Sequence, residues 1–225
     1  MGGRISGLRD EWNSRAQRLG KTRRSVLFKR FPSWLNNRIH RKHRDFVLNN
    51  MPPHTSSVLD VGCGYGRIAR VIRERYPTIP ISGIDLSEEF CAAYREEFGT
   101  CFNVPIQEFQ ATKQYDAIIM VTVLMYLDRG ELVSVIEKYW SMLSPDGVMI
   151  CIEPAIEFLQ LWRRLTGTSS ASPTGGSVNH FQKDSLNSLF SGLNCADVRG
   201  EVSVNLLPGI DFSSLHHGVA VVKKN

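Results

Sequence analysis

The chain has 225 residues, is 42% hydrophobic and carries a formal net charge of +5. That length suits one substantial domain with its own core plus an appendage. No run of apolar residues is long enough for a membrane-spanning helix. The polar, arginine-rich N-terminus lacks the apolar centre of a secretory signal, so a cytoplasmic protein is expected.

The charge is unevenly placed. Residues 1–50 hold 13 Lys and Arg against 3 Asp and Glu, whereas residues 51–225 hold 14 against 19. Basicity therefore belongs to the N-terminal segment, and nucleic acid is not the expected partner of the whole chain. In that segment Trp12, Leu19, Phe28, Trp34, Leu35, Ile39 and Phe46 recur among arginines at helical spacing. Pro32 divides the segment into one expected helix before it and one after. Pro52-Pro53 ends it. Residues 1–54 are thus expected to be a basic helical extension and residues 55–225 the main domain.

From residue 57 strands and helices alternate. Strands are expected at 58–61, 79–84, 101–104, 115–121 and 148–152, with helices at 67–75, 88–98 and 131–143 between them. Ser144-Pro145-Asp146-Gly147 reads as a turn. Near-continuous apolar strands separated by helices predict a parallel, doubly wound α/β sheet with its ligand at the strands' C-terminal ends. Further helices are expected at 157–165 and 184–190, a Gly/Ser/Thr/Pro-rich loop at 166–177, and a hairpin-like pair of strands at 196–204 and 218–222. The five cysteines (Cys63, Cys91, Cys101, Cys151, Cys195) show no zinc-ligand spacing and are odd in number, which predicts free thiols.

The chemistry concentrates in Val58-Leu59-Asp60-Val61-Gly62-Cys63-Gly64-Tyr65-Gly66-Arg67. A strand runs into three alternating glycines and then a helix, whose free N–H groups can face a ligand. A dinucleotide site wants a GxGxxG pattern, but here the pattern is GxGxG with Asp60 just before it. A carboxylate there repels a pyrophosphate and attracts an ammonium. About twenty residues on, Gly83-Ile84-Asp85-Leu86-Ser87 places an acid at the end of the second strand, where it can accept the hydroxyls of a ribose. Arg67 opens the following helix and is read as solvated, with an approach to the substrate as the alternative.

With these elements in order, and with YDAIIMVTVLMYL (115–127) and LSPDGVMI (143–150) following, the chain resembles the class I S-adenosylmethionine-dependent methyltransferases. The resemblance is close over about residues 55–153 and holds in outline to 225. It implies a Rossmann-like seven-stranded sheet and S-adenosyl-L-methionine as cofactor. It implies that Asp60, Gly62, Cys63, Gly64 and Gly66 line the methionine half, that Asp85 holds the ribose, that Leu86 packs on adenine with Ile106 and Gln107 at its amino edge, and that Val121 and Thr122 border the methyl group. The resemblance also gives the extension the part of a substrate lid.

Sequence alone constrains the acceptor by exclusion. The (D/N)PP(Y/F) motif of DNA adenine methyltransferases is replaced by Val121-Thr122-Val123-Leu124, and no Pro-Cys or Thr-Cys pair is present for base C5 chemistry. The expectation is a small-molecule or glycan acceptor, methylated at oxygen and anionic in character given the basic extension, which could also touch a membrane surface peripherally. A histidine found in many small-molecule methyltransferases is replaced by Tyr126, so His180 is the candidate base, ahead of His216 and His217. The alternatives are a protein N-methyltransferase and a non-catalytic adenosylmethionine-fold protein.

Overall fold

The computed structural model describes residues 2–28, 31–166, 179–194, 196–205 and 214–224. Seven strands form one sheet: β1 (Val58–Val61), β2 (Ile81–Asp85), β3 (Thr100–Asn103), β4 (Tyr115–Val121), β5 (Leu143–Pro154), β6 (Ala196–Asn205) and β7 (Ser214–Lys223). Their order is β3-β2-β1-β4-β5-β7-β6. The first five are parallel, and β7 lies antiparallel between β5 and β6. The order reverses between β1 and β4, so a crevice opens beyond their C-terminal ends.

Alternation along the strands feeds two cores. Leu59, Val61, Ile118, Met120, Met149 and Cys151 face one side, with helix α6 (Leu132–Ser141) and the short α8 (Lys183–Ser188) packed over them. Val58, Ala117, Ile119, Val148, Ile150 and Ile152 face the other. That side is covered by α3 (Ser33–Asn50), α4 (Arg67–Arg75) and α5 (Glu88–Phe98). Ser87 caps α5 by accepting the Phe90 amide at 3.3 Å, and two glutamates in its first turn suit the helix dipole.

The sheet, the hairpin and most boundaries match the reading of the sequence. Three features differ. The segment before Pro32 forms two helices, α1 (Gly2–Leu19) and α2 (Arg23–Val26), because Gly20 turns into the left-handed region at φ +56°. Strand β5 begins at Leu143 and carries the expected turn within it: Asp146 sits at φ +59° and the register with β4 shifts between Tyr115 and Ala117. Helix α3 shares a core with the sheet through Phe46, Val47 and Met51, so the division at residue 54 is one of sequence and charge more than of packing. Helix α7 (Ile156–Thr166) precedes the Gly/Ser loop, which from residue 167 onward lies outside the described residues, as does Cys195. The other four cysteines are free and buried.

Candidate active site

Beyond the ends of β1, β2 and β4 lies a cavity with an empty volume of about 1170 Å³, mouth included. Nine of the ten residues assigned above to the cofactor line it: Asp60, Gly62, Cys63, Gly64, Asp85, Leu86, Ile106, Gln107 and Val121. Gly62 and Gly64 take positive φ, so the loop between them bends sharply. The Asp85 carboxylate braces that loop: Gly64 N–H donates to one oxygen at 2.8 Å and Ser87 N–H to the other at 2.9 Å. Asn103 secures the same corner from β3, donating to the carbonyls of Asp85 and Leu86 at 3.1 and 3.0 Å.

Asp60 is buried, and its Oδ2 has no hydrogen-bond partner. Burial pushes its carboxyl up to about 7 against the pull of the Arg67 charge, and burial pushes Asp85 up to about 6 against its amide donors. A buried carboxylate oxygen facing a cavity without a donor fits a cationic ligand group. Arg67 also lines the cavity. It is not solvated, as its place at a helix start suggested, but buried, with its two terminal nitrogens 3.0 Å from His40 Nδ1 and 3.4 Å from His43 Nδ1. Cys63 is held within a chain of thiols, its sulfur 3.6 Å from Cys101, which is 3.0 Å from Cys91. Burial pushes the Cys63 thiol up to about 12, so it is inert at neutral pH.

Gly66 is the tenth assigned residue and is not among the described lining residues. A side chain there would overlap the ring of Phe98 of α5, and its φ is +88°. Gly66 therefore serves close packing of α4 on α5. Gly66→Ala is expected to destabilise the fold by about 2–4 kcal/mol in denaturant titration, from overpacking plus left-handed strain. A loss below about 0.5 kcal/mol would show that α5 yields freely.

The roof comes from the extension. Arg4, Ile5, Leu8 and Trp12 of α1 and Val26 of α2 line the cavity. Arg4 donates to the Tyr126 carbonyl at 2.8 Å and ion-pairs with Asp128. Trp12 stands edge-on to Tyr126, with ring centroids 5.6 Å apart. A side cavity shares Trp12, Val26, Thr122 and Tyr126 with the first and adds Arg15, Phe28 and His216. Thr122 sits at φ +60°, strained for a β-branched residue, at the junction of the two.

The histidines separate by place. His180 is buried but is not among the described residues lining either cavity. Its neighbour Asn179 stitches the segment to the loop after β4, donating to the carbonyls of Met125 at 2.8 Å and Leu127 at 2.6 Å. His217 is committed to Glu157 at 2.9 Å and Ser203 at 3.0 Å. Only His216 of the three reaches the side cavity; burial and the Arg67 charge hold it down to about 3, so its imidazole is neutral.

One residue escaped the sequence reading. Glu153, at the end of β5, is fully buried and accepts three successive amides, Val123 at 2.9 Å, Leu124 at 2.8 Å and Met125 at 3.1 Å. It anchors the loop after β4 that walls both cavities. Burial pushes it up to about 8 despite those donors. The one available signal was an acid closing the apolar run Val148-Met149-Ile150-Cys151-Ile152.

These groups set a pH dependence. Above the ordinary imidazole value of 6.5, folded Asp60 and Glu153 still hold protons that the unfolded chain has lost, so stability falls as pH rises toward about 8. Below it, buried His40, His43 and His216 stay neutral in the fold while the unfolded chain protonates, so stability falls as pH drops. Thermal midpoints without ligand are expected to peak at about pH 6. A steady rise to about pH 8 would contradict this assignment of buried protons.

Residues 59–149 match the family described as a methyltransferase domain. The strand order and the glycine loop flanked by Asp60 and Asp85 frame that match. Residues 59–149 thus hold a methyltransferase domain, and the chain has the fold of class I S-adenosylmethionine-dependent methyltransferases. Among curated proteins, the chain is 27% identical over 141 residues to alpha N-terminal protein methyltransferase 1 of Drosophila melanogaster, covering 59% of this chain and 51% of that one. It is 27% identical over 121 residues to nodulation protein S of Bradyrhizobium diazoefficiens, covering 51% and 57%. The chain thus spans about half the length of these relatives. Its fold is that of the magnesium protoporphyrin IX methyltransferase of Synechocystis PCC 6803 with bound SAH, at TM-score 0.67 and 14% identity, covering 98% of this chain and 100% of that one. No described helix of the chain is long and apolar enough to cross a membrane.

Proposed function

We propose that the enzyme methylates a small-molecule or glycan acceptor at oxygen, with residues 2–26 as the lid over the reaction space. One observation carries the acceptor reading. The side cavity, about 320 Å³ of empty volume with its mouth included, offers a buried guanidinium, Arg15, which also donates to the Arg24 and Leu27 carbonyls, a neutral imidazole, His216, and aromatic rings, and no carboxylate among its described lining residues. Such walls suit an anionic or neutral acceptor better than an ammonium.

In this reading Asp60 pairs the ammonium of the cofactor's amino-acid end and Asp85 accepts the ribose hydroxyls. Leu86 and Ile106 flank the adenine, and Gln107 meets its amino edge. When bound, S-adenosylmethionine supplies an electrophilic methyl group on a sulfonium, already a good leaving group. The chain's own task is alignment and exclusion of water. Trp12 and Tyr126 close the space above Val121 and Thr122, and Glu153 holds the wall. His216 can accept a hydrogen bond from an acceptor hydroxyl at any ordinary pH, so His216 replaces His180 as the histidine nearest the chemistry. With so weak a base, the acceptor best suited is one ionised beforehand, a carboxylate or an acidic hydroxyl.

Likeness to an N-terminal protein methyltransferase supports the competing nitrogen reading. Incubation with methyl-labelled S-adenosylmethionine and a panel of aromatic acids, phenols and amine-ended peptides separates them. Label in esters, released as methanol by alkali, or in phenol ethers is the expected result. Label confined to peptide amines would overturn the oxygen reading. Calorimetry with S-adenosylmethionine and SAH tests catalysis itself, since failure to bind either would leave only a non-catalytic role.

A further inference from the structure

Helices α2, α3 and α4 enclose a second basin, separate from the reaction space, with an empty volume of about 1480 Å³, mouth included. Six cationic side chains line it, Lys21, Arg23, Arg41, Arg44, Arg67 and Arg70, against a single acid, Glu74.

Three of the six are already neutralised. Lys21 pairs with Glu96 at 2.6 Å, Arg44 with Asp45 at 2.7 Å, and Arg70 donates to Glu97 at 2.7 Å. Among the described residues, the other three have no carboxylate hydrogen-bonded to them. Arg23 donates to the neutral Asn37 side chain at 2.8 Å. Arg41 has no hydrogen bond or ion pair with a described residue. Arg67 is 7% exposed and bonded to His40 and His43, both of which burial holds neutral. Arg67 is buried and hydrogen-bonded to imidazoles, with the Asp60 carboxyl in the neighbouring cavity as its charge partner. Arg23 and Arg41 are exposed, so the concave surface presents two solvated guanidiniums and one buried one to an incoming anion. A lone carboxylate satisfies one such fork, whereas a phosphoryl group brings more charge and three acceptor oxygens. At the rim, Trp34 exposes 62% of its surface, more than any other large hydrophobic side chain among the described residues.

We propose that this basin binds a phosphoryl-bearing anion, with Arg23, Arg41 and Arg67 as its donors and the Trp34 indole at the rim. Because Arg67 lines both cavities, the occupied basin touches the same side chain whose charge acts on Asp60. The site does not depend on the acceptor reading, since its occupancy is measured without turnover.

The test is calorimetry of the full chain with inorganic pyrophosphate, on wild type and on Arg41→Ala, Arg23→Ala/Arg41→Ala and Lys42→Ala. Lys42 neighbours Arg41 on α3 but is not among the basin's described lining residues. Saturable one-to-one binding is expected, weakened roughly tenfold by Arg41→Ala and further by the double variant. Lys42→Ala should leave it unchanged. No saturable binding, or equal weakening by Lys42→Ala, overturns the site. Phosphatidylcholine vesicles with and without phosphatidylglycerol distinguish the source of the phosphate. Vesicle binding that pyrophosphate displaces assigns a lipid headgroup, and pyrophosphate binding without vesicle binding assigns a soluble phosphorylated molecule. Vesicle binding that pyrophosphate cannot displace and the double variant retains would mean diffuse surface attraction, and the proposal fails.

Discussion

Asp85→Ala is expected to weaken S-adenosylmethionine binding by about 3 kcal/mol, more than hundredfold in Kd. Two losses combine. The carboxylate proposed to accept the ribose hydroxyls disappears, and the amides of Gly64 and Ser87 lose the acceptor that fixes the glycine loop to the start of α5. Asp116 provides the control. Its carboxylate is as well bonded, to the Ser56 amide at 2.7 Å, the Ser57 amide at 3.1 Å and the Ser144 hydroxyl at 2.6 Å, but at the opposite end of β4. Asp116→Ala should lower stability and leave cofactor affinity within about twofold. Calorimetric titration of both variants with S-adenosylmethionine decides. Unchanged affinity in Asp85→Ala refutes the ribose assignment, and equal losses in both would mean that loosening anywhere in the sheet suffices.

Glu153→Ala is expected to cost about 3–5 kcal/mol of stability, since three consecutive buried amides lose their common acceptor. The folded fraction should retain cofactor binding and lose turnover, because the freed loop carries Thr122 and Tyr126, which line both cavities, and Met125, which lines the side cavity. Glu153→Gln isolates the mechanism. One oxygen receives the amides of Val123 and Leu124, and an amide oxygen can still serve there; the Met125 amide would face an NH₂ group instead. A smaller loss of about 1–2 kcal/mol is expected, together with a shallower fall in stability between pH 6.5 and about 8, because the proton held by Glu153 is gone. Denaturant titration across that range checks both. A variant as stable as wild type, with its pH slope intact, would show that Glu153 does not anchor the loop.

Local chemistry accounts for what was legible beforehand. The β1–glycine loop–α4 unit, Asp85 at the end of β2 and the apolar β4 each announce themselves within a dozen residues, through backbone freedom, charge and periodicity. Nine of the ten assigned cofactor residues converge on one cavity because a parallel sheet brings successive strand ends together.

Other features depend on partners far apart in the chain. Glu153 meets amides about thirty residues away, and nothing near it in sequence marks those donors. Arg67 looked solvated until α3 folded His40 and His43 onto it. His180 lies outside the described lining of both cavities, and only the antiparallel insertion of β7 beside β5 places His216 at the side cavity. By itself the sequence determined the fold class, the glycine loop and the acids on either side of it, because short-range sterics and charge dictate them. The tertiary structure alone decided which buried charges lack partners, which histidine lines the side cavity, and that α3 belongs to the core of the sheet.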